Sequence, residues 1–146
     1  MGNTTSLLSN YHIKEQLASD GRGNLNFILF KASLKINPQS HVSLFEYVLK
    51  QSDAPSLAFI KNAASKFKSI RHPGIIKYLT SQVMDSTVLF VTDYCIPLNQ
   101  TLSRLPQEQV YLGLYGILDA LDFLHSQQMV LNFCDLSTIY VSAGTT

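Results

Sequence analysis

A single amphipathic helix pattern, placed between two groups of strand patterns, constrains the fold more than any other feature of this chain. Its apolar residues recur at helical spacing: Leu57, Ile60, Ala64 and Phe67. Pro73 forces the residue before it out of helical geometry, so the helix ends just upstream. Three apolar, β-branched segments precede the helix and two follow it. The sequence therefore predicts an α+β fold built on a five-stranded antiparallel sheet.

The predicted elements follow from periodicity and turn chemistry. Strands are predicted at residues 11–17, 25–30, 41–49, 75–83, 87–94, 129–132 and 138–142, and helices at residues 56–71 and 106–126. Turn residues at 19–24 and 37–40 separate the first three strands. Asp53 is predicted to cap the first helix. The second helix has an apolar stripe that we expect to be buried: Val110, Leu114, Ile117, Leu118, Leu121 and Leu124.

Composition excludes several classes of protein. A net charge of +1 lacks the basic excess of a nucleic-acid-binding domain, so no nucleic-acid partner is expected. Cys95 and Cys134 have no metal-ligand spacing, and we expect both to remain thiols. No apolar run approaches the roughly 18 residues that a membrane-spanning helix needs. No cluster of metal ligands and no nucleophile–base pair is evident, so neither a metal nor a catalytic pair is predicted.

The first six residues, Met-Gly-Asn-Thr-Thr-Ser, match the pattern for N-myristoylation. The acyl group would be joined to the amine of Gly2 after methionine removal. A polar N-terminus without a lipid is the alternative interpretation, because short motifs also match by chance. One myristoyl chain gives only marginal membrane binding, so a second contact is required. Residues 1–10 are predicted to be flexible.

Five segments together resemble the Scy-like pseudokinases. They are VSLF at 42–45, KFKSIRHPGIIKYL at 66–79, TDYCIPL at 92–98, GILDALDFLH at 116–125 and NFCDLSTIYVS at 132–142. The N-terminal MGNTTS is most similar to the ezrin-associating branch of that family. The resemblance implies a protein-kinase-like small lobe at residues 11–94. Residues 95–146 would then be the hinge and the truncated start of a large lobe, with its first helix and catalytic-loop region.

The resemblance implies that the catalytic positions are degenerate. The strand lysine that contacts the ATP phosphates in kinases is Phe45, and the helix glutamate that pairs with it is Ala63. In the catalytic loop the base position is Phe133 and the metal-binding asparagine is Thr138. Asp135 lies two residues beyond the base position, and a capping or solvated carboxylate is the favoured interpretation over a displaced base.

The glycine-rich loop of kinases is also incomplete here. The best match places Gly21 and Gly23 at the first two glycines and Asn26 at the third, with Ile28 at the nucleotide-facing valine. No nucleotide cofactor is therefore expected. Lys31 on the second strand is a possible replacement for the lost lysine, but its parity opposes that of Ile28. We therefore predict that Lys31 points away from the nucleotide cleft.

The resemblance further implies a scaffold without phosphotransfer activity, in the cytoplasm and peripheral on Golgi or other membranes. Expected partners are proteins of membrane traffic or the cytoskeleton, including an ezrin-type protein bound through a C-terminal region that this sequence does not contain. Golgi-associated traffic, cell adhesion and migration are the implied processes. The alternative is a weakly nucleotide-binding or atypical protein kinase, and a third possibility is a fold remnant without its own function.

The sequence stops before the segments that follow the catalytic loop in kinases. We therefore expect a fragment, a truncated gene model or a short isoform. Its second helix would expose apolar side chains that pack on large-lobe helices in a complete kinase fold.

Overall fold

The computed structural model describes residues 7–22, 25–51, 53–129 and 138–142. It confirms an α+β chain with a five-stranded antiparallel sheet, in the order β1-β2-β3-β5-β4. The strands are β1 (Tyr11–Arg22), β2 (Leu25–Leu34), β3 (Asn37–Leu49), β4 (Tyr78–Val83) and β5 (Thr87–Asp93). A 3₁₀ turn (Leu7–Asn10) precedes β1, and helix α1 (Ala54–Ser69) joins β3 to β4.

Strand alternation gives the sheet two apolar faces. One face holds the fully buried residues Ala32, Val42, Leu44, Leu89 and Val91, and Leu7 and Leu8 of the 3₁₀ turn pack against it. The other face carries a cluster shared with α1: Leu49, Ile60, Ala64 and Val88. Each valine, leucine or isoleucine side chain in these clusters contributes about 1.5–3 kcal/mol when fully buried. Both faces of the sheet therefore stabilise the fold.

Helix α1 is held at its start by Asp53, as predicted. The Asp53 carboxylate accepts a hydrogen bond of 2.8 Å from the Ser56 backbone N–H, and this bond lowers the pKa of Asp53 below its ordinary value. Pro55 lies in the first turn, where its missing N–H leaves no bond unmade. Ile70 is extended, so the helix ends at Ser69, two residues before the predicted end.

A second compact unit contains Arg71–Lys77 and the described residues from Cys95 onward, whereas the first contains the described residues up to Ile70 together with Tyr78–Tyr94. The second unit is built from β6 (Cys95–Pro97), α2 (Leu98–Thr101), a 3₁₀ turn (Leu102–Arg104), α3 (Gln107–Ser126) and β7 (Tyr140–Ser142). Strands β6 and β7 pair antiparallel, and β6 was not predicted. The predicted division at residues 10, 94 and 95 stays a prediction.

The predicted turn at residues 37–40 is wrong. Strand β3 already begins at Asn37, opposite Leu34, and the turn consists of Lys35 and Ile36. Pro38 is tolerated in the strand because β5 pairs with β3 only from Val42 onward. A proline without its N–H is permitted where one side of a strand has no neighbour.

Helix α3 buries less of its predicted stripe than the periodicity indicated. Leu114 and Leu118 are 52% and 66% exposed, and the fully buried residue of the helix is Ala120. Further exposed side chains on this helix are Tyr111, Leu112 and Tyr115. Among the described residues, none of the helices has the length and hydropathy required of a membrane-spanning segment.

Candidate functional site

Phe45, the residue at the predicted lysine position, lies in the middle of the sheet. On strand β3 it is paired with Leu29 of β2 and with Phe90 of β5. Only 5% of the residue is exposed. Its ring stacks on Phe27 and Tyr47, with ring centroids 6.2 Å and 6.5 Å away. The Phe45 side chain is therefore almost completely buried, and other aromatic rings surround it.

The Phe45 ring belongs to an aromatic layer that reaches helix α1. Its members are Phe27, Phe45, Tyr47, Phe67, Tyr78 and Phe90. Phe67 of α1 lies edge-on to both Phe90 and Tyr78, with centroids 5.4 Å and 5.5 Å apart. Such pairs contribute about 0.5–1.5 kcal/mol beyond the burial of their area. The part of this face around Phe45, where a kinase lysine would lie, is thus an apolar packing surface.

Ala63, at the predicted glutamate position, is exposed on α1. The residues that this helix buries are its neighbours Ile60 and Ala64. No acidic residue occurs between Asp53 and Pro73, so α1 supplies no carboxylate to any cation. The helix packs on the sheet through its apolar residues.

The predicted glycine loop begins inside a strand. Gly21 pairs with Asn26 across β1 and β2, and its N–H donates to the Asp20 side chain at 2.8 Å. A Cβ on Gly21 would lie 2.9 Å from the Asn26 side-chain oxygen, which a side-chain rotation relieves. Gly23 lies outside the described residues. Ile28 faces the opposite side of the sheet from Phe45, so the two residues do not both face one nucleotide cleft, as the two alignments together required.

Lys31 lies on the same face of the sheet as Phe45, so it does not point away from a cleft that Phe45 faces, contrary to the prediction. The strand register pairs Lys31 with Ser43, and Leu29 with Phe45. The Lys31 ammonium lies 5.2 Å from the centroid of the Tyr94 ring, within cation–π distance. His41 also contacts Tyr94, at 6.0 Å between rings. The prediction for Lys31 failed because it assumed that Ile28 shares a face of the sheet with Phe45.

The catalytic-loop positions are only partly within the described chain. Phe133 and Asp135, like Gly2, lie outside it. Thr138 is half-buried and precedes Ile139, whose carbonyl accepts a hydrogen bond of 2.8 Å from the Leu98 backbone N–H. The strand on which the alignment of this loop was anchored is therefore present as β7, and Thr138 lies just before it.

His72 has a structural role, as predicted, and its partner is Asp119 of α3. The Gly74 N–H donates to His72 Nδ1 at 2.9 Å, so the other ring nitrogen carries the hydrogen that Asp119 Oδ2 accepts at 3.1 Å. The His72 ring stacks on Phe123, with centroids 4.9 Å apart. With both nitrogens engaged, His72 is not available as a general base. Asp119 and Phe123 share one helix face at i, i+4, which lets both contact the His72 ring.

Gly74 permits a close contact within the same unit. A Cβ at this position would lie 2.7 Å from the Gly116 carbonyl oxygen and 3.0 Å from the Ala120 Cβ. The turn at residues 71–77 therefore lies directly on α3. Across residues 7–22, 25–51, 53–129 and 138–142, the structure brings together no set of three side chains suited to hold a metal ion.

Comparison with known proteins places the chain near protein kinases. No family model matches it. The mouse protein named "Protein-associating with the carboxyl-terminal domain of ezrin" is 29% identical over 143 residues, which are 97% of this chain and 18% of that protein. "Protein kinase domain-containing protein ppk3" of Schizosaccharomyces pombe is 30% identical over 82 residues, 56% of this chain and 13% of that protein.

"Serine/threonine-protein kinase 36" of Pongo abelii is 25% identical over 127 residues, 84% of this chain and 9% of that protein. The chain spans less than a fifth of the length of each of these relatives. The resemblance predicted from the sequence is confirmed: over almost its whole length the chain is similar to the mouse protein, and the other matches are named as protein kinases or kinase-domain proteins.

Proposed function

We propose that this chain is a protein-kinase-like scaffold domain without catalytic activity. The observation that supports this most directly is Phe45, which occupies the lysine position with 5% exposure inside the aromatic layer. Phosphoryl transfer depends on cations that stabilise the negative charge spreading over the transferred group. A phenylalanine ring provides no such charge, and it fills the volume that an ammonium group would need.

The loss of the helix carboxylate supports the same function. In an active kinase the strand lysine and the helix glutamate form an ion pair, and both residues are required for it. Here Ala63 is exposed and α1 has no acidic residue. The phosphate-binding pair is thus missing on both sides, and the same surfaces pack through Phe45, Phe67 and Phe90. Around Phe45, aromatic packing therefore takes the place of the lysine–glutamate ion pair.

The proposed scaffold is tethered to membranes by an acyl chain on Gly2. The match to the myristoylation pattern supports the tether. Membrane-traffic or cytoskeletal proteins are the proposed partners, with Golgi membranes as the site and adhesion or migration as the process. The mouse relative is named for its association with the carboxyl-terminal domain of ezrin, and this name supports an ezrin-type partner.

A titration of Mg-ATP, followed by calorimetry and by thermal shift, tests the loss of nucleotide binding. We expect no binding at millimolar ATP, with an unchanged melting temperature. Micromolar affinity in the native chain would contradict the proposal. Phosphate transfer to a generic substrate would contradict it independently of affinity.

One observation favours a second candidate, a weakly nucleotide-binding or atypical kinase. Lys31 provides an ammonium group on the Phe45 face, two positions from Phe45 on the paired strands. If Lys31 binds phosphate, Lys31→Met abolishes a measurable Mg-ATP affinity, whereas Lys35→Met in the neighbouring turn preserves it. The scaffold proposal expects neither variant to differ from the native chain, because there is no affinity to lose.

A further inference from the structure

The turn between β2 and β3 exposes an isoleucine almost completely. Ile36 is 92% exposed, more than any other large apolar side chain of the described residues. Two-residue hairpin turns favour Asn, Asp and Gly, whose backbones adopt the required conformations easily. Turn chemistry therefore gives no reason for isoleucine at this tip. Lys35, the other turn residue, is also exposed.

Hydrogen bonds fix this turn beside the N-terminal segment. The Lys35 backbone N–H donates to the Asn10 carbonyl at 3.1 Å. Leu7, at the start of the same 3₁₀ turn, donates its N–H to the Gln82 side chain at 2.7 Å and packs on the buried face of the sheet. The position of Leu7, the first described residue, is thus fixed by its contacts with the sheet.

The covalent chain limits how far an acyl group on Gly2 can lie from the turn. Gly2 lies eight positions before Asn10. An extended chain spans at most about 3.6 Å per position, or about 29 Å in total. From Leu7 the limit is about 18 Å. A bilayer that receives the acyl chain must therefore lie within about 18 Å of Leu7.

Exposed cations accompany the apolar tip. Lys14 of β1 is exposed and follows Ile13, which is 47% exposed. Strand β1 has an irregularity between Ile13 and Glu15, and Glu15 lies opposite Lys31 in the strand register. Exposed lysines beside apolar side chains suit a surface that carries negative charge over an apolar interior, as an anionic bilayer does.

We propose that Ile13, Lys14, Lys35 and Ile36 form a membrane-contact surface, here called the tip surface, that binds a bilayer containing anionic lipid. It rests on the proposed lipid tether and supplies the second contact that a single acyl chain requires. Ile36 enters the boundary between headgroups and acyl chains, while Lys14 and Lys35 attract anionic headgroups. The membrane-facing side of the first unit is thereby assigned.

A tryptophan reporter tests the tip surface, because the chain contains no tryptophan. The variant Ile36→Trp is compared with Phe59→Trp, whose parent side chain is 60% exposed on α1. Both are produced with and without N-myristoyltransferase, and intact mass reports the acyl chain. Fluorescence is recorded on vesicles of phosphatidylcholine alone and with 30% phosphatidylserine, using brominated acyl chains as quenchers.

On the anionic vesicles we expect the fluorescence of the Ile36→Trp variant to shift to the blue and to be quenched, and that of the Phe59→Trp variant to change little. Lys35→Gln should lower vesicle partitioning about fivefold, since each lysine near an anionic surface contributes about one kcal/mol; Lys66→Gln on α1 should have no effect. Equal quenching at both positions, or none in protein that sediments with vesicles, would overturn the inference.

The two proposals fail in different ways. If intact mass shows no acyl group, the proposed tether is refuted. Quenching of the Ile36→Trp fluorescence at high lipid concentration then still tests whether the tip surface contacts the bilayer. An acylated chain that partitions independently of Ile36 and Lys35 refutes the tip surface alone. Loss of a protein partner on Ile36→Ser, with vesicle binding unchanged, assigns the surface to a protein and also refutes the inference.

Discussion

Lys31 lies directly opposite Ser43 on the paired strands β2 and β3, two positions from Phe45 and on the same face of the sheet. The ammonium group of Lys31 rests over the Tyr94 ring instead of approaching Phe45. A positive charge is thus present on this face, but it is held at the Tyr94 end. The aromatic layer occupies the other end, and this separation makes Phe45 an informative position for mutation.

Phe45→Lys should destabilise the chain without creating a nucleotide site. The ammonium group would lose its water among Phe27, Tyr47 and Phe90 with no carboxylate from α1, and the aromatic contacts would be lost. We expect a decrease of about 3 kcal/mol or more in the free energy of unfolding. Urea titration measures it, with Phe59→Lys on the exposed side of α1 as the control, expected to change stability by less than about 0.5 kcal/mol. Equal effects of the two variants would show that Phe45 is not packed.

Restoring catalytic residues should not restore catalysis. Phosphoryl transfer needs the lysine, the metal ligands and the positioning groups together, and their effects are strongly non-additive. Phe45→Lys combined with Phe133→Asp should therefore show no turnover above background in a radiolabelled phosphate-transfer assay. An active kinase under the same conditions is the positive control. Turnover by the native chain would contradict the absence of activity outright.

Gly2→Ala should move the protein from the membrane fraction to the soluble fraction, because it removes the amine position that the acyl transferase requires. Fractionation of cells fed a myristate analogue measures both location and labelling. Asn3→Ala, which leaves the required glycine in place, should retain the label. Labelling of the Gly2→Ala variant would place the acyl group at another residue.

Gly74→Ala and Gly113→Ala should change stability in opposite directions. A methyl group at Gly74 would lie 2.7 Å from the Gly116 carbonyl oxygen, whereas at Gly113 nothing lies within 4 Å. We expect a loss of about 1–3 kcal/mol for Gly74→Ala and a gain of up to about 1 kcal/mol for Gly113→Ala, since alanine favours the helix. Chemical unfolding measures both. A neutral Gly74→Ala would mean that the turn at residues 71–77 moves freely on α3.

The Asp53 cap should make stability depend on pH in the acid range. The hydrogen bond from Ser56 lowers the pKa of the Asp53 carboxyl in the folded state. Its stabilisation is therefore complete above the ordinary carboxyl pKa and is lost as the pH falls through the lowered, folded-state pKa. The melting temperatures of the native chain and Asp53→Ala should differ at neutral pH and converge in acid. Asp53→Asn, which still caps, should remain close to native at neutral pH.

Periodicity and capping chemistry were sufficient to predict much of the fold. The spacing of Ile60, Ala64 and Phe67 located α1, and Asp53 marked its start, because both signals are local in the sequence. The turn at Lys35 and Ile36 was missed because neither residue has turn preference. Pro38 suggested a turn, yet the sheet accepts it where β3 lacks its second neighbour.

The site was harder to predict than the fold, because it depends on strand register. The sequence argument placed Ile28 on the Phe45 face, whereas the register places Leu29 and Lys31 there, and a shift of one residue exchanges the two faces of a strand. The pairing of His72 with Asp119 joins residues 47 positions apart. No local pattern specifies such a contact, although the i, i+4 spacing of Asp119 and Phe123 is compatible with it.

The hydrogen bond between Leu7 and Gln82 also has a consequence for the order of events during synthesis. Its two ends are 75 residues apart, so this contact cannot form until β4 has left the ribosome. At about 5–20 residues per second this interval lasts several seconds or more. We therefore expect Gly2 to be presented to an acyl transferase on the nascent chain before the finished sheet restrains it. The lipid would then be attached before the sheet on which the N-terminal segment packs is complete.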